Sequence, residues 1–412
     1  MLRFFVLFFL WASNLSIHAQ ILEVCSTCEW TSIKRALAIA EKGDTVLIKS
    51  GRYLENSIEV RKPITIIGEE WPVIDGMGEN EILIVFADSV KIIGLQLENV
   101  GVSYLKDRAA IRLVQCENVM VSNNKLYNTF FGIYLQKASK CIIKNNQVIG
   151  SAKEEFSAGN AIHVWKADHI LVKGNTLKGH RDGIYFEFVD SSRIVENLSE
   201  SNLRYGLHFM FSNKDLYQNN TFRNNGVGVA VMFSKGIEMV RNVFEDNWGS
   251  ASYGILLKEI SDGLMLRNQF ISNTKGIYAE GTNRLEIREN DFIENGWALD
   301  IKGNCDNNLI ENNNFIKNTF EVITNSKQNN NQFLANYWSQ YRGYDLNHDG
   351  IGDVPHRPVS LFSLLTNEIP SASIFLHSFL ENLLEYSEKI FPTLTPDQLV
   401  DNQPLMKPFQ YD

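Results

Sequence analysis

The chain lacks clustered basic residues and, beyond its first 20 residues, any long uncharged apolar stretch. Charged residues make up 21% of the 412 residues, and the formal net charge is -9. Binding to a phosphate backbone relies on grouped Lys and Arg side chains, so this composition argues against nucleic acid as a partner. A bilayer-spanning helix needs about 20 mainly apolar residues in succession, and no segment after the N-terminus supplies them.

The N-terminus is the one strongly apolar segment. Arg3 precedes an apolar run over residues 4–12, and the small residue Ala19 stands before Gln20. This order of basic, apolar and small residues predicts a signal peptide over residues 1–19 that is removed on export. We therefore expect an exported protein that is either soluble or peripheral to a membrane.

Cysteine is scarce, with five residues in the chain. Cys25 and Cys28 stand just after the signal peptide, and in an oxidising compartment they most simply form a small disulfide. A redox or copper-contacting role is the alternative for this pair, because thiolates are good Cu(I) ligands. Cys116, Cys141 and Cys305 are predicted to be single buried thiols.

What the chain has in abundance is a repeat. An asparagine recurs at intervals of 22 to 29 residues, and an aliphatic residue lies 13 positions before each of the first eight. The asparagines are Asn124, Asn146, Asn175, Asn197, Asn220, Asn242, Asn268 and Asn290, with looser continuations at Asn313 and Asn336. A unit of this length cannot bury its own apolar face, so neighbouring units must stack into a solenoid.

Each repeat unit is β-like and too short for a pair of helices. Segments such as 132–135, 183–186 and 276–279 show apolar residues in alternation and are bounded by Gly and Asn. This pattern predicts strands. We therefore predict an all-β fold, a right-handed parallel β-helix of about ten coils. Its asparagines would stack at a turn, where Asn tolerates left-handed backbone angles. A leucine-rich repeat has a similar period, but its leucine consensus is missing.

Both ends of the repeat differ from its middle. Apolar residues at helical spacing between Trp30 and Gly51 predict an N-terminal helix that caps the first coil. Residues 371–390 form a candidate amphipathic helix, and a Pro-rich tail follows it. The predicted divisions are a β-helix over 20–340, an Asp/Asn/Gly loop over 341–358, and a helical and Pro-rich extension over 359–412.

The repeat also assigns a face to each strand position, because side chains alternate along a strand. The first and third positions, which begin with Ile111 and Leu113, are apolar throughout and must face the core. The second and fourth positions face outward. In consecutive coils this outer face carries the candidate metal ligands His163, Glu187, His208, Met210 and Met232.

Two interpretations of this outer group stay open. Imidazole and thioether groups suit Cu(I), and coils about 4.8 Å apart bring His208, Met210 and Met232 within reach of one ion. His163 and Glu187 would form the next ring. Alternatively, the methionines and nearby aromatic residues form an apolar surface for another protein. Enlarged loops around 149–160 and 246–252 flank these coils, as loops that frame a binding face often do.

A second candidate metal site follows the repeat. Asp345, Asn347, Asp349 and Asp353 place oxygen ligands around a glycine turn, as at the start of a calcium-binding loop. The twelfth position is His356, where a bidentate Glu is expected. A structural loop rich in Asx turns is therefore the alternative to calcium binding.

An enzyme that acts on acidic polysaccharides would need two carboxylates, or a carboxylate and a base, in one outer groove. Glu187 and Glu280 stand four coils apart, and Asp182 has no second acid beside it in its turn. The pattern favours a protein that is not an enzyme. A polysaccharide-acting β-helix enzyme stays as the alternative.

Several segments carry a family resemblance: Gly179–Tyr185, Arg204–Met210, Gly228–Met232, Tyr253–Lys258, Asn336–Trp338 and Tyr344–Asp353. They resemble the NosD family, exported β-helical proteins of copper maturation in the nitrous oxide reductase system. The resemblance runs over nearly the whole mature chain. It implies a non-catalytic, periplasmic subunit of an ABC-type complex with an ATPase and a membrane permease.

The resemblance also implies a route for copper. The subunit would receive the ion from a copper chaperone lipoprotein and help to assemble the copper centres of nitrous oxide reductase, which favours transient Cu(I) binding at His208, Met210 and Met232. We expect residues 371–412 to dock on the permease, with Phe375, Phe379 and Leu383 as candidate contacts. A scaffold that binds proteins of the same complex, and no metal, remains the alternative.

Overall fold

The computed structural model describes residues 19–103, 105–326, 330–391 and 399–411. Within these ranges the chain winds as a parallel β-helix, in which successive short strands join three parallel sheets in turn. The predicted β-helical fold is confirmed. The predicted signal peptide lies outside the described residues except for Ala19.

The strands of the described residues form sheets of 14, 13 and 12 members, which we name sheets A, B and C. Sheet A contains Ile21–Val24, Thr45–Ile48, Thr65–Gly68, Lys91–Ile93, Met120–Ser122, Ile142–Lys144, Leu171–Lys173, Arg193–Val195, Leu216–Gln218, Glu238–Val240, Leu264–Leu266, Glu286–Arg288, Leu309–Glu311 and Gln332–Leu334. Sheet B contains Arg52–Leu54, Val73–Asp75, Gln96–Glu98, Lys125–Tyr127, Gln147–Ile149, Thr176–Lys178, Leu198–Glu200, Thr221–Arg223, Val243–Glu245, Gln269–Ile271, Asp291–Ile293, Asn314–Ile316 and Tyr337–Trp338. Sheet C contains Ile58–Val60, Leu83–Val85, Ala109–Val114, Phe131–Gln136, Ile162–Asp168, Asp182–Asp190, Tyr205–Met210, Val227–Met232, Ile255–Lys258, Lys275–Glu280, Trp297–Ile301 and Phe320–Ile323.

The number of coils exceeds the predicted ten, because sheet A has four strands before Met120–Ser122, the strand that leads to the first ladder asparagine. In these early coils Gly51, Pro72 and Leu95 stand directly before the sheet B strands, where later coils have asparagine. Aliphatic stacking inside the coil therefore suffices for the fold. The asparagine period detects only the part of the solenoid that uses it.

The helices lie at the two ends of the solenoid. Helix α1, Ile33–Ile39, packs its buried residues against the first coil, as predicted for an N-terminal cap. At the C-terminus α2 spans Leu361–Glu368 and α3 spans Phe379–Ile390, with a 3₁₀ helix over Pro370–Phe375 between them. The predicted single helix over 371–390 is therefore wrong in its first third, because Ser378 caps α3 by accepting from the Leu380 N–H. A further 3₁₀ turn, Glu155–Ser157, lies in the first enlarged loop.

The asparagine ladder runs between sheets A and B. The Oδ1 atom of each asparagine accepts from both the backbone N–H and the side-chain amide of the one before it, as between Asn197 and Asn220, at 2.9 Å for both bonds. Each amide also donates to a backbone carbonyl, so no buried polar group of the column is left without a partner. The left-handed backbone angle belongs to the preceding residue, such as Glu196, and not to the asparagine itself.

A second asparagine ladder lies five residues after the first, between sheets B and C, and the sequence analysis missed it. Asn202 begins it, and its amide donates to Asn225 Oδ1 at 3.0 Å. The ladder continues through Asn247, Asn273, Asn295 and Asn318. Between the two ladders the buried rings of Phe222, Phe244, Phe270, Phe292, Phe315 and Trp338 form one continuous stack.

The C-terminal segment closes the last coil. The buried carboxylate of Asp401 takes the place of the next ladder asparagine and accepts from the Asn336 backbone and side chain at 2.9 and 3.1 Å. It also accepts from Trp338 Nε1 at 3.1 Å. Farther along, Phe409 exchanges hydrogen bonds with the Asn314 side chain, so the segment lies back across earlier coils.

Cys25 and Cys28 form a disulfide, as predicted, and Cys116, Cys141 and Cys305 are buried free thiols. Of the helices in the described ranges, none combines the length and apolar character needed to cross a bilayer.

Candidate functional site

Sheet C has the inner and outer columns that the sequence predicts. The first-position residues, from Ile111 to Ile277, and the third-position residues, from Leu113 to Ala279, are all buried in the solenoid core. In most of these strands a glycine directly precedes the first core residue, because the coils approach closely there. A Cβ atom on Gly206 would lie 2.5 Å from the carbonyl oxygen of Gly228. The alternating second and fourth positions therefore form the outer face.

The second-position side chains on this outer face pack on one another as a column of rings. Tyr134, His163, Tyr185 and His208 follow in register, with ring centroids 4.5, 4.8 and 4.8 Å apart. Because these tall side chains and their neighbours cover one another, His163 and His208 are only 9% and 5% exposed. The sequence predicts their direction but not this burial.

His208 is the most unusual member of the column. Its ring lies 4.8 Å from that of Tyr185 and 4.7 Å from that of Tyr205, and neither ring nitrogen has a hydrogen-bond partner among the described residues. Burial, with help from the positive charges of Arg204 and Arg181, lowers the pKa of His208 to about 3. A neutral imidazole with a free nitrogen lone pair is the state that binds a metal ion.

Two methionines stand beside His208. Met210 lies two residues along the same strand, and Met232 is its register partner in the next coil. Both are partly exposed, and Met232 packs against the apolar cluster of Tyr205, Val227 and Ala230. The Tyr185 hydroxyl donates to Met210 Sδ at 3.8 Å. One imidazole and two thioethers thus occupy neighbouring outward positions of two adjacent strands, and they form a soft donor set suited to Cu(I).

His163 and Glu187 lie to the N-terminal side of this trio. The ring of Tyr185 separates His163 from His208, so the two imidazoles are two coils apart and do not share one ion. His163 Nδ1 lies 3.0 Å from the amide of Asn160, at the end of the first enlarged loop. Glu187 is the register partner of Met210. A second ring of ligands formed by His163 and Glu187 stays a prediction.

Three phenylalanines border the methionines on one side. Phe188, Phe211 and Phe233 are 44, 38 and 41% exposed, and their rings stack at 5.2 and 5.1 Å. All three have positive φ angles, which are uncommon for bulky residues. On the opposite border the enlarged loops carry the exposed side chains of Phe156 and Trp248. The candidate ligands therefore lie between two apolar rims.

Charged residues beneath this face were missed as members of the site. Asp182 opens its sheet C strand fully buried, accepts from the Tyr205 N–H at 3.3 Å and lies 3.3 Å from Arg181 Nε. Burial raises the pKa of Asp182, although Arg181 and Arg204 oppose the rise. Asp182 and Tyr205 each stand two residues before the first core residue of their strand, Ile184 and Leu207. The same position recurs in every coil, and comparing it between coils would have identified both residues.

The calcium-loop residues hold their own loop together. Asp345 accepts from the Gly350 N–H at 2.9 Å, Asp349 from the Ile351 N–H at 2.8 Å, and Asp353 from the Leu346 N–H at 2.7 Å, while the Asn347 amide donates to Asp349. His356, at the twelfth position, lies 2.7 Å from the buried Glu321 instead of facing the loop. Calcium binding at this loop stays a prediction.

No group of three or more His, Cys, Asp or Glu side chains in the described ranges is placed to hold a metal ion. The trio of His208, Met210 and Met232 is a different donor set.

The C-terminal helices expose an unusual amount of apolar surface. The candidate contacts Phe375, Phe379 and Leu383 are 46, 80 and 49% exposed. Tyr386 and Ile390 continue the exposed side of α3. Exposed large apolar side chains grouped in this way are typical of a surface that contacts another protein or a membrane.

Comparison with known proteins finds two family models that are similar to parts of the chain. The family described as "Periplasmic copper-binding protein (NosD)" matches residues 151–343, and the family described as "Right handed beta helix region" matches residues 55–177. The second match agrees with the predicted handedness of the solenoid.

Individual relatives extend the similarity over most of the chain. A protein of Pseudomonas aeruginosa named "Probable ABC transporter binding protein NosD" is 27% identical over 382 residues, which cover 87% of each chain. A protein of Stutzerimonas stutzeri with the same name is 25% identical over 381 residues, 87% of this chain and 86% of its own. The predicted resemblance to NosD is confirmed.

Among solved structures, the catalytic domain of a family GH87 α-1,3-glucanase in complex with nigerose superposes with a TM-score of 0.56. It is 11% identical, and the match covers 78% of this chain and 69% of that one. At this identity the likeness concerns the fold alone.

Proposed function

We propose that this NosD-like chain is a periplasmic accessory subunit of an ABC-type transporter complex that holds Cu(I) for assembly of the copper centres of nitrous oxide reductase. The ion would bind His208, Met210 and Met232 on the outer face of sheet C. The observation that carries this proposal is the His208 ring, which is buried and neutral and has no hydrogen-bond partner in the described chain.

The chemistry of the trio supports a cargo site. A buried imidazole without a partner is costly to leave unsatisfied, so it is more readily explained by a missing ligand than by the needs of the fold. Thioethers bind Cu(I) without losing a proton, and three soft ligands leave a coordination position open for an incoming partner ligand. An open site of this kind suits an ion that is received and then passed on.

The partners in this proposal follow from the family resemblance. A copper chaperone lipoprotein would deliver the ion, and nitrous oxide reductase would receive it. Both relatives are named as ABC transporter binding proteins, which supports an ABC-type ATPase and membrane permease as the other partners. We propose that Phe375, Phe379 and Leu383 contact the permease, because these side chains are exposed on the C-terminal helices.

A protein scaffold that binds no metal is the second candidate function. The stacked and exposed Phe188, Phe211 and Phe233 favour it, because the flanking coils have Lys166 and Glu259 at this position and the solenoid does not need an aromatic ridge there. In the copper proposal the same ridge would receive the donor and acceptor proteins next to Met210 and Met232.

A polysaccharide-acting enzyme has less support. The chain shares its fold with a sugar-acting enzyme, but its relatives are named as binding proteins. Glu187 lies beside the trio, but another acid of its strand, Asp182, is fully buried against Arg181. An acid in this position is not available to a polymer in the groove. We also retain Ca²⁺ as a proposed ligand of Asp345, Asn347, Asp349 and Asp353.

Anaerobic titration of the purified protein with Cu(I), against a chromophoric chelator, tests the copper proposal. We expect wild type to bind one ion and the triple variant His208→Ala/Met210→Leu/Met232→Leu to lose at least about 100-fold in affinity, since soft ligands supply the binding free energy. The double variant Met239→Leu/Met265→Leu, which changes two methionines in the solenoid core, is the matched control and should bind normally.

Equal stoichiometry and affinity in wild type and the triple variant would contradict the proposed site. Absence of copper from wild type, together with stable complexes with the chaperone and reductase, would favour the scaffold. Turnover of uronic-acid polymers without any transporter subunit would favour the enzyme. Metal analysis of the same samples reports whether calcium is present.

A further inference from the structure

Tyr185 makes a hydrogen bond to one of the candidate ligand atoms, the sulfur of Met210. Its ring lies between those of His163 and His208, and its hydroxyl donates to Met210 Sδ at 3.8 Å. A thioether sulfur is ordinarily a weak acceptor, but it is the atom to which the hydroxyl donates in this structure. An ion that binds Met210 through the same sulfur has to compete with this hydrogen bond.

A second acceptor is within reach. Glu187 stands two residues after Tyr185 on the same face of the strand. Glu187 is close enough to interact with the Tyr185 hydroxyl, and a carboxylate can only accept from it. The hydroxyl therefore has two acceptors, of which Met210 belongs to the proposed copper trio.

The repeat shows what the second arrangement looks like. Four coils later, Tyr278 and Glu280 occupy the same two positions, and there the hydroxyl lies 3.4 Å from Glu280 Oε2. In the next coil the residue that corresponds to Met210 is Lys302, whose Nζ lies 5.2 Å from the centre of the Tyr278 ring. Without a thioether to contact, the same Tyr-x-Glu pair turns its hydroxyl to the carboxylate.

We propose that Tyr185 is a positioning residue of the Cu(I) site, whose hydroxyl bonds Met210 Sδ when the site is empty and turns to Glu187 when the sulfur binds the ion. This inference rests on the proposed function and adds a role for Glu187 that is not metal ligation. Binding exchanges one hydrogen bond for another, so the buried hydroxyl is never left unsatisfied. The exchange moderates affinity, which suits an ion that must be released.

The Cu(I) affinities of four variants distinguish the role of Tyr185 from that of Glu187. We expect Tyr185→Phe to bind Cu(I) about twofold to fivefold more tightly, because the competing hydrogen bond is gone. We expect Glu187→Leu to bind about tenfold more weakly, because the displaced hydroxyl then lacks an acceptor. Tyr185→Phe/Glu187→Leu should match Tyr185→Phe alone, since Glu187 acts only through Tyr185. Tyr278→Phe is the matched control and should leave the affinity unchanged.

A second measurement does not depend on substitution at the site. In protein labelled with 3-fluorotyrosine, the ¹⁹F resonance that is absent from Tyr185→Phe belongs to Tyr185. We expect this resonance to shift on addition of one equivalent of Cu(I), while that of Tyr278 stays in place.

The outcomes distinguish this inference from the proposal beneath it. Failure of wild type to bind Cu(I) would overturn both. If wild type binds Cu(I) but Tyr185→Phe binds no more tightly and the Tyr185 resonance does not move, the hydroxyl exchange is wrong and the copper site stands. A loss of affinity from Glu187→Leu in the Tyr185→Phe background would instead make Glu187 a direct ligand.

Discussion

The outer face of sheet C is built in two different ways along the solenoid. In the later coils, Asp300 stands at the second position, with Lys275 Nζ 2.6 Å from one carboxylate oxygen and Lys302 Nζ 2.8 Å from the other. In the central coils, His208 has the same position in the repeat, and its two ring nitrogens have no partner in the described chain. The same coil geometry thus carries an ion-paired carboxylate in one region and an imidazole without a partner in the other.

The inner face of sheet C does not differ between these regions. Leu207 and Phe209 beneath the central coil and Leu299 and Ile301 beneath the later one are all buried core residues. Since core packing supplies most of the driving force for folding, the outer residues are free to vary. The imidazole of His208, which has no partner in the described chain and which the fold does not require, is therefore informative about a ligand. The ion pairs of Asp300 are informative only about stability.

The largest expected effect concerns the later coils of sheet C, where Asp300 is ion-paired. Asp300→Leu leaves Lys275 and Lys302 partly buried without their carboxylate, so we expect it to lower the free energy of unfolding by about 3 kcal/mol. Urea denaturation followed by circular dichroism measures the loss. Cu(I) binding should be unchanged, because the substitution lies coils away from the trio.

Asp262 provides the matched control for this substitution. It also has two cationic partners, Lys235 at 3.3 Å and Arg284 at 2.6 Å, but it lies at the surface. Exposed ion pairs contribute about 0–1 kcal/mol, so Asp262→Leu should cost far less than Asp300→Leu. Equal costs would remove the distinction between the buried network and an ordinary surface pair.

A buried group that faces the solenoid interior sharpens the comparison. Asp215 accepts from the Ser192 N–H at 2.7 Å through Oδ1, but its Oδ2 has no partner among the described residues. Burial raises the pKa of Asp215 to about 8. Unlike His208, this group lies inside the coil, out of reach of any cargo, so its unsatisfied atom should affect stability alone.

The pH dependence gives the second prediction. In the unfolded chain an Asp ionises near pH 4, whereas folded Asp215 stays protonated to about pH 8, so stability is lost as the pH rises between these values. We expect Asp215→Asn to remove this loss and to raise the free energy of unfolding by about 1–2 kcal/mol at pH 8, with little difference at pH 4. Urea denaturation at both pH values measures it.

Asp88→Asn is the control for Asp215→Asn. Asp88 also accepts a backbone N–H of the next coil at 2.7 Å, from Glu117, but it is exposed. A pH-dependent gain in Asp88→Asn as large as that in Asp215→Asn would show that the effect does not come from burial.

The fold was readable from the sequence because the repeat constrains it twice. The asparagine period set the register, and alternation within each strand then separated the core columns, such as Ile184 and Phe186, from the outer ones. The four early coils were missed because they lack that asparagine. The ladder that begins at Asn202 was missed because its period duplicates the first, and Asp401 was missed because it joins the first ladder from 65 residues away.

The site was only partly readable, for a physical reason. Alternation gives the direction of a side chain but not its neighbours, so His208, Met210 and Met232 were placed on one face without their burial. Tyr205 and Asp182 precede the alternating part of their strands, where the chain turns a corner. Their outward direction depends on backbone geometry that a period of two does not encode.

The smallest expected change in stability is the one that most directly tests the comparison. His208→Leu removes no hydrogen bond and places an apolar side chain of similar size against Tyr185 and Tyr205, so we expect it to alter the free energy of unfolding by less than about 1 kcal/mol. His356→Leu removes the 2.7 Å partner of the buried Glu321, and we expect a loss of about 2–3 kcal/mol. Chemical denaturation of the two variants, with Cu(I) affinity measured on the same samples, should show that His208→Leu loses copper and His356→Leu loses stability. If His208→Leu costs as much stability as His356→Leu, then His208 is a structural residue and the contrast between the two regions of sheet C does not identify a ligand site.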